Sequence, residues 1–493
     1  MRKSILNKRT WFLILLLQVL QLSVSAQKTK YTPDVEKKIK EFENNLGLWV
    51  NIEGAKNKYN LQERMAFYRV NGVSIAFIKD YKMEWARGFG WADSAEQRPV
   101  TTASLFQAAS ISKSLNGVGV LKLVQDGKLD LSADINDYLK SWKFPYDSLS
   151  KGKKITTANL LSHTAGLTVS GFPGYERGIP LPTRAQILDG VTPANTKAVR
   201  SAFEPGLKFQ YSGGGTIISQ TIVEDITGKR YEEYMWDNVL KPLGMHSSTF
   251  AYIPGKEQAT LRATAYFNNG KALTGKYHLY PEQAAAALWT NPTDLSKYII
   301  ETQLALQGKS SKVLSQEMTK LRLTPFVDSV SALGVRISKS STQTYFGHSG
   351  GNAGFRSQYF GSMDGGNGVV VMVNSDDGTI ISEILRSVAT VYNWNGFYQP
   401  KVKKVMLFDS SILKRYVGSY TIDKLTVSIL IEGDRLVLKQ EEQKMNIHFT
   451  NDTDFFVMEV PNGEYSFVKD ATNNVEALQI KRGSNITKLT KIF

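Results

Sequence analysis

Up to residue 395, apolar residues recur with two different periods. Val73 to Ile78, a turn at Lys79-Asp80 and Met83 to Gly88 read as a strand hairpin. Ile111, Leu115, Val118 and Leu121 fall instead at helical spacing, and Gly127 is placed to stop that helix. Helix punctuation is densest between Asn159 and Thr249, where Asp225 to Gly228 closes one helix and Pro242-Leu243-Gly244 follows another. That stretch predicts a helical lobe inserted into a mixed α/β domain. Beyond residue 395 the pattern becomes strand-like almost throughout. Leu425, Val427, Ile429 and Ile431 alternate with period two before Gly433-Asp434. Leu436 to Leu438, Phe455 to Val460, Tyr465 to Val468 and Val475 to Ile480 follow, separated by turn residues such as Pro461-Asn462-Gly463. A small antiparallel barrel or sandwich is expected there. The boundaries are a catalytic-type domain over 27–395, a linker over 396–408 and a C-terminal β domain over 409–493.

The first 26 residues add a destination. Arg2, Lys3, Lys8 and Arg9 precede the apolar run Trp11 to Leu17, and Val24-Ser25-Ala26 supplies small residues for cleavage before Gln27. Gln18 breaks the run too early for a span of about 20 apolar residues, so a cleaved secretory signal is favoured over an uncleaved anchor. The chain contains no cysteine, which excludes thiol nucleophiles, cysteine metal sites and disulfides, and also a lipidated cysteine after the signal. A periplasmic or secreted location is expected. The formal charge of +15, less the four cations of residues 1–26, leaves +11 on the remainder. Lys151 to Lys154 and Lys401 to Lys404 are basic clusters without a nucleic-acid motif, so a solvated basic surface is expected, with contact to anionic envelope polymers as the alternative.

Candidate chemistry centres on Ser110 and Lys113 in the run QAASISKSLNG. Positions i and i+3 share a helix face, so the Lys113 amine can reach the Ser110 hydroxyl and activate it for acyl transfer. A serine at a helix N-terminus also meets free backbone N–H groups that favour developing negative charge. The spacing alone is weak, because Ser-x-x-Lys recurs at Ser148, Ser150, Ser411 and Ser466. Two further segments give it weight. In FEPGLKFQYS, Tyr211 follows a short strand-like run and precedes Gly213-Gly214-Gly215, an arrangement that exposes a phenol on a tight turn. In FGHSGG, His348 to Gly351 are placed to form a sheet edge facing a cleft, ahead of the strand Val369 to Val373.

With Ser110-Ile111-Ser112-Lys113, Tyr211-Ser212-Gly213 and His348-Ser349-Gly350 in this order, the chain resembles the serine β-lactamase and penicillin-binding-protein superfamily. The likeness is to its class C β-lactamase, esterase and D-amino-acid peptidase branch. LLSHTAGL from Leu160, KPLGM from Lys241 and YPEQAAAALWTNPTDL from Tyr280 agree, and the resemblance spans about Met65 to Tyr392. It implies an α/β fold of the β-lactamase/transpeptidase type, an antiparallel sheet flanked by helices plus a helical lobe. Tyr416 to Tyr420 and the strands after them resemble a lipocalin-like β domain appended to some members.

By position, the resemblance makes Ser110 the acylated nucleophile and Lys113 with Tyr211 the proton-handling pair. It places the oxyanion hole at the backbone N–H groups of Ser110 and Gly351. His348, Ser349, Gly350 and Gly213 line the substrate. Where the family carries asparagine this chain has Gly213, and the missing amide argues against efficient β-lactam hydrolysis. His163 reads as structural. His246, His278 and His448 have no metal-site spacing, and no metal or cofactor is expected. The expected activity is exported serine hydrolysis of a small ester, amide or peptide. The alternatives are β-lactamase or DD-peptidase action, and a catalytically silent envelope-binding protein.

Overall fold

The computed structural model describes residues 31–492 except 254, 424, 442, 483 and 484. The secretory-signal reading of residues 1–26 lies outside them. Among the described residues no helix is long and apolar enough to cross a membrane.

The larger unit is built on a seven-stranded sheet. Its strands are β1 (Gly72–Lys79), β2 (Lys82–Asp93), β3 (Arg98–Pro99), β4 (Arg336–Lys339), β5 (Thr344–Asn352), β6 (Phe355–Ser362) and β7 (Gly368–Val373). They lie in the order β3-β2-β1-β7-β6-β5-β4, every neighbouring pair antiparallel. The β1–β2 turn falls at Asp80-Tyr81, one residue beyond the expected Lys79-Asp80, because Lys79 still pairs with Lys82. Asp80 and Tyr81 both take positive φ, the left-handed geometry that matches a tight hairpin to the strand twist.

Strand β7 shows why the sheet must be covered on both faces. Every residue of its run GVVVMV is buried, and Val369, Val371 and Val373 enter one core while Val370 and Met372 enter the other. The first core is closed by α1 (Pro33–Glu43) and α6 (Thr379–Val391), which buries Ile380, Ile381, Ile384, Leu385 and Val388 on one stripe. The second, larger core holds α2 (Ser112–Gln125), α3 (Gly213–Thr227), α4 (Gln283–Ala286) and α5 (Pro292–Leu306). Helix α2 is buried almost all round, as a helix running through a core must be. The helical lobe is present: α3 ends at Gly228 with φ 66°, and short helical turns follow through Leu240.

Arg64 and Glu383 join the N-terminal segment to α6 by a buried two-point ion pair of 2.8 and 2.5 Å, with the Tyr68 hydroxyl also on Glu383. Glu383→Ala strands the guanidinium in the interior. Destabilisation of roughly 3–5 kcal/mol is expected, read as a lowered midpoint in chemical denaturation.

The C-terminal unit is a closed antiparallel barrel of eight strands, β8 (Gly418–Ile422), β9 (Leu425–Glu432), β10 (Arg435–Gln440), β11 (Gln443–Phe449), β12 (Asp454–Val457), β13 (Glu464–Lys469), β14 (Val475–Arg482) and β15 (Asn485–Ile492). Its interior is filled by side chains. Tyr416, Tyr420, Phe449, Phe455 and Phe467 stack with ring centres 4.7 to 6.2 Å apart, and Val427, Ile429, Leu438, Leu478 and Leu489 complete the packing. The stretch read as a linker contains a strand: Lys401–Lys403 pairs in parallel with Val50–Ile52. Beside it Trp49 packs edge-on against Phe456 at 5.9 Å and donates to the Met458 carbonyl at 2.9 Å, so the N-terminal segment binds the barrel.

Candidate active site

Ser110 sits in a 3-10 turn, Ala109–Ile111, that leads directly into α2. No side chain caps α2, so the hydroxyl of Ser110 is not consumed there. The residue before it, Ala109, is held at φ 50°, a left-handed conformation that costs an alanine about 1 kcal/mol or more. Its surroundings impose it. Ala108 N–H donates to Leu288 O at 2.8 Å, Ser357 Oγ donates to Ala108 O at 3.0 Å, and Leu288 N–H donates to Ser112 Oγ at 3.1 Å. The turn is thus fastened to β6 and to the segment after α4, with Ser110 at its half-buried crest.

Lys113 is buried to 4 % exposure. Its Nζ donates to Ser110 Oγ at 3.1 Å and to the Ala285 carbonyl of α4 at 2.8 Å, and lies 5.1 Å from the centre of the Tyr211 ring. Among the described residues no carboxylate pairs with it. The amine is held by a hydroxyl, a carbonyl and an aromatic face, within hydrogen-bond reach of Ser110 Oγ.

Tyr211 arrives by a different route from the one expected. The run before it forms no strand; Phe203 to Gln210 is irregular and tied to the LLSHTAGL loop by Gly206 N–H to Thr164 O and Gln210 N–H to His163 O, both 2.8 Å. Pro205 and Gly206, at φ 80°, prevent a ladder. After Tyr211 the chain enters α3, whose N-cap Ser212 accepts from Gly215 N–H at 3.0 Å. The Tyr211 hydroxyl has no protein hydrogen-bond partner among the described residues, and its half-buried ring lies between two histidines, 4.4 Å from His163 and 6.4 Å from His348.

His163, read as structural from the sequence, ties the segment before α3 to its own loop and also packs against the Tyr211 ring. Its Nδ1 accepts the Ser212 N–H at 3.2 Å, so its proton lies on Nε2. His348 has the opposite tautomer: Nδ1 faces the Ser349 carbonyl at 2.6 Å, which can only accept, leaving Nε2 the acceptor. Burial, reinforced by Lys113, pushes His348 down to about 4 and His163 well below its ordinary range. Both rings are neutral at neutral pH. The signal for His163 was its place in LLSHTAGL; nothing in that run distinguishes a wall from a neighbour of the phenol.

His348, Ser349, Gly350 and Gly351 lie on β5 as expected. β4 pairs only with Thr344 to Gly347, so the edge from His348 onward is open on that side. Gly350 faces the Ser110 turn so closely that a Cβ would lie 2.1 Å from Ala108 O. Gly213 opens α3 two residues after Tyr211. The structure therefore gathers Ser110, Lys113, Tyr211 and His348 and adds His163 and the Ala285 carbonyl. His246, His278 and His448 are apart from them, and the described residues contain no cluster of three or more histidine or acidic side chains able to hold a metal ion.

Glu282, at the N-terminus of α4, is fully buried and neither carboxyl oxygen has a hydrogen-bond partner of good geometry. Desolvation raises its pKa to about 8. A raised folded-state value means that its contribution is present below the unfolded value of about 4.5 and is lost as pH climbs through 8. Glu282→Gln is expected to remove that loss, narrowing the fall in thermal midpoint between pH 6 and pH 9.

Comparison with known proteins shows the family and the fold. Penicillin-binding protein 4* of Bacillus subtilis (strain 168) is 22% identical over 422 residues, covering 79% of this chain and 88% of that one. The octameric penicillin-binding protein homologue from Pyrococcus abyssi superposes with a TM-score of 0.60 at 20% identity, over 87% of this chain and 98% of that one. FmtA from Staphylococcus aureus does so with a TM-score of 0.54 at 19% identity, over 76% and 98%. At these identities the two structures establish the fold. The beta-lactamase family model matches residues 58–383, a span that contains the Ser110 turn, Tyr211 and the open edge of β5, and the chain belongs to that family of serine hydrolases.

Proposed function

We propose that this protein is an exported hydrolase, periplasmic or secreted, that forms an acyl-enzyme on Ser110 from a small ester, amide or peptide and then hydrolyses it. The observation that carries the reading is the buried Lys113 amine on Ser110 Oγ, with the Tyr211 ring beside it and no carboxylate to neutralise it among the described residues. Ser110 Oγ attacks the substrate carbonyl while its proton passes to the Lys113–Tyr211 pair. The backbone N–H groups of Ser110 and Gly351 bind the oxyanion. Collapse of the tetrahedral intermediate breaks the bond to the leaving group, which takes the proton from the pair. Water, deprotonated by the same pair, then releases the acid and restores Ser110. Neutral His348, with Ser349 and Gly350, lines the leaving-group side.

Purified protein given a p-nitrophenyl ester, a chromogenic cephalosporin and a D-Ala-D-Ala peptide tests the order. The ester is expected to be turned over fastest, and cephalosporin turnover at a comparable rate contradicts it. A peptidase reading draws on one observation. A recess of about 600 Å³ beside His348 and Ser349 is lined by Arg336, which has no ion-pair partner among the described residues and suits a free carboxylate. Faster cleavage of the peptide than of the ester selects that reading.

A further inference from the structure

The missing side chain of Gly213 is not replaced by empty space. A Cβ built there lies 2.8 Å from Phe172 Cε2 and 3.1 Å from the Ser170 carbonyl oxygen. Packed carbon atoms stay about 3.5–4.0 Å apart, so the Phe172 ring stands where a side chain at 213 would go.

That ring is held in place from both ends of its segment. On one side Ser212 Oγ donates to Thr168 O at 2.8 Å, Gly214 N–H to Val169 O at 3.0 Å and Gly213 N–H to Ser170 O at 3.1 Å. On the other, Tyr175 and Leu279 exchange two backbone hydrogen bonds of 2.9 and 2.7 Å, and the Tyr280 hydroxyl donates to Pro173 O at 3.3 Å. Val169, a β-branched residue, is kept at φ 61°, a conformation that persists only where the surroundings impose it. Residues 168–175 form a strap with Phe172 near its middle, packed against the larger core.

We propose that Phe172 and Gly213 together set the acyl specificity of the Ser110 site, admitting plain aliphatic or aromatic acyl groups and discriminating against acyl groups that carry an acylamino substituent. This rests on the hydrolase reading above. The surface two residues from Tyr211 presents ring carbon and a glycine with no side-chain amide, and Ser170 O beside it already accepts from Gly213 N–H. An acylamino group entering there loses water against ring carbon and finds no side-chain amide at 213 to replace it. The discrimination expected from an unpaired amide is on the order of 10- to 100-fold.

The test uses p-nitrophenyl butyrate and the p-nitrophenyl ester of N-acetylalanine, which share a leaving group, with rates normalised to their reactivity toward hydroxide. Wild-type protein is expected to favour butyrate in kcat/KM by about 10- to 100-fold. Phe172→Ala opens the wall and narrows the ratio by about fivefold or more. Phe172→Leu keeps it apolar and holds the ratio near wild type. Adding Gly213→Asn to Phe172→Ala supplies an amide in the vacated space and moves the ratio further toward the N-acetylalanyl ester. A ratio unmoved in folded Phe172→Ala, or a wild-type preference for the N-acetylalanyl ester, overturns the specificity alone. Turnover of neither ester, together with no fluorophosphonate label on Ser110, brings down the hydrolase reading and the specificity with it.

Discussion

Lys113→Met lowers kcat/KM for an ester substrate by roughly 10²- to 10⁴-fold, the range for a positioned general base, while the thermal midpoint holds or rises. The two effects have one cause. Lys113 is 4 % exposed and has no carboxylate partner among the described residues, so its burial carries a desolvation cost that a methionine of similar length removes. What methionine cannot do is bond to Ser110 Oγ, 3.1 Å away, and share in the proton transfer proposed for the Lys113–Tyr211 pair. Initial rates and a thermal melt on the same preparation separate loss of chemistry from loss of fold. A fall in stability as large as the fall in rate would assign Lys113 a structural role.

Gly350→Val has the second largest expected effect, and it acts through position. The Cβ of any other residue would meet Ala108 O at 2.1 Å and Ser357 Oγ at 2.6 Å. These two atoms are bonded to each other at 3.0 Å and fasten the Ser110 turn to the sheet. The strand and the turn must part, by an amount of the order at which catalytic geometry loses about 10²-fold. Overpacking of this kind costs roughly 1–3 kcal/mol in addition. The expected result is a folded, less stable protein with kcat depressed about 10²-fold. Wild-type kcat in Gly350→Val would show that β5 and the turn need not touch.

Much of this was legible in the chain, and the reasons differ by element. The Ser-x-x-Lys runs are alike as text, and the surroundings of their lysines differ. Lys151 and Lys153 pair with Glu204, and Lys469 with Asp452, each in an exposed ion pair, whereas Lys113 is buried against Ala285 O. Only the order of Tyr211 and His348 behind it carried that distinction in sequence. In the barrel, β9 announces itself by alternating apolar residues and β10, β13 and β14 by short apolar runs between turn residues. β15, Asn485–Ile492, buries Leu489 beside mostly polar neighbours, and is a strand because it closes the barrel between β14 and β8. β11 alternates as well, with Met445, Ile447 and Phe449 inward and Asn446 and His448 between them, a strand signal as legible as that of β9. The contact of His163 with Tyr211 depends on loop-to-loop hydrogen bonds between segments about 45 residues apart, which no local pattern encodes.

Ser110 as the acylated nucleophile is tested most directly by intact-mass measurement after a fluorophosphonate, on wild type and on Ser110→Ala at equal concentration. Wild type is expected to gain the mass of one phosphonyl group and Ser110→Ala to gain none. No adduct on wild type, or the same adduct on Ser110→Ala, would contradict acyl transfer at this site.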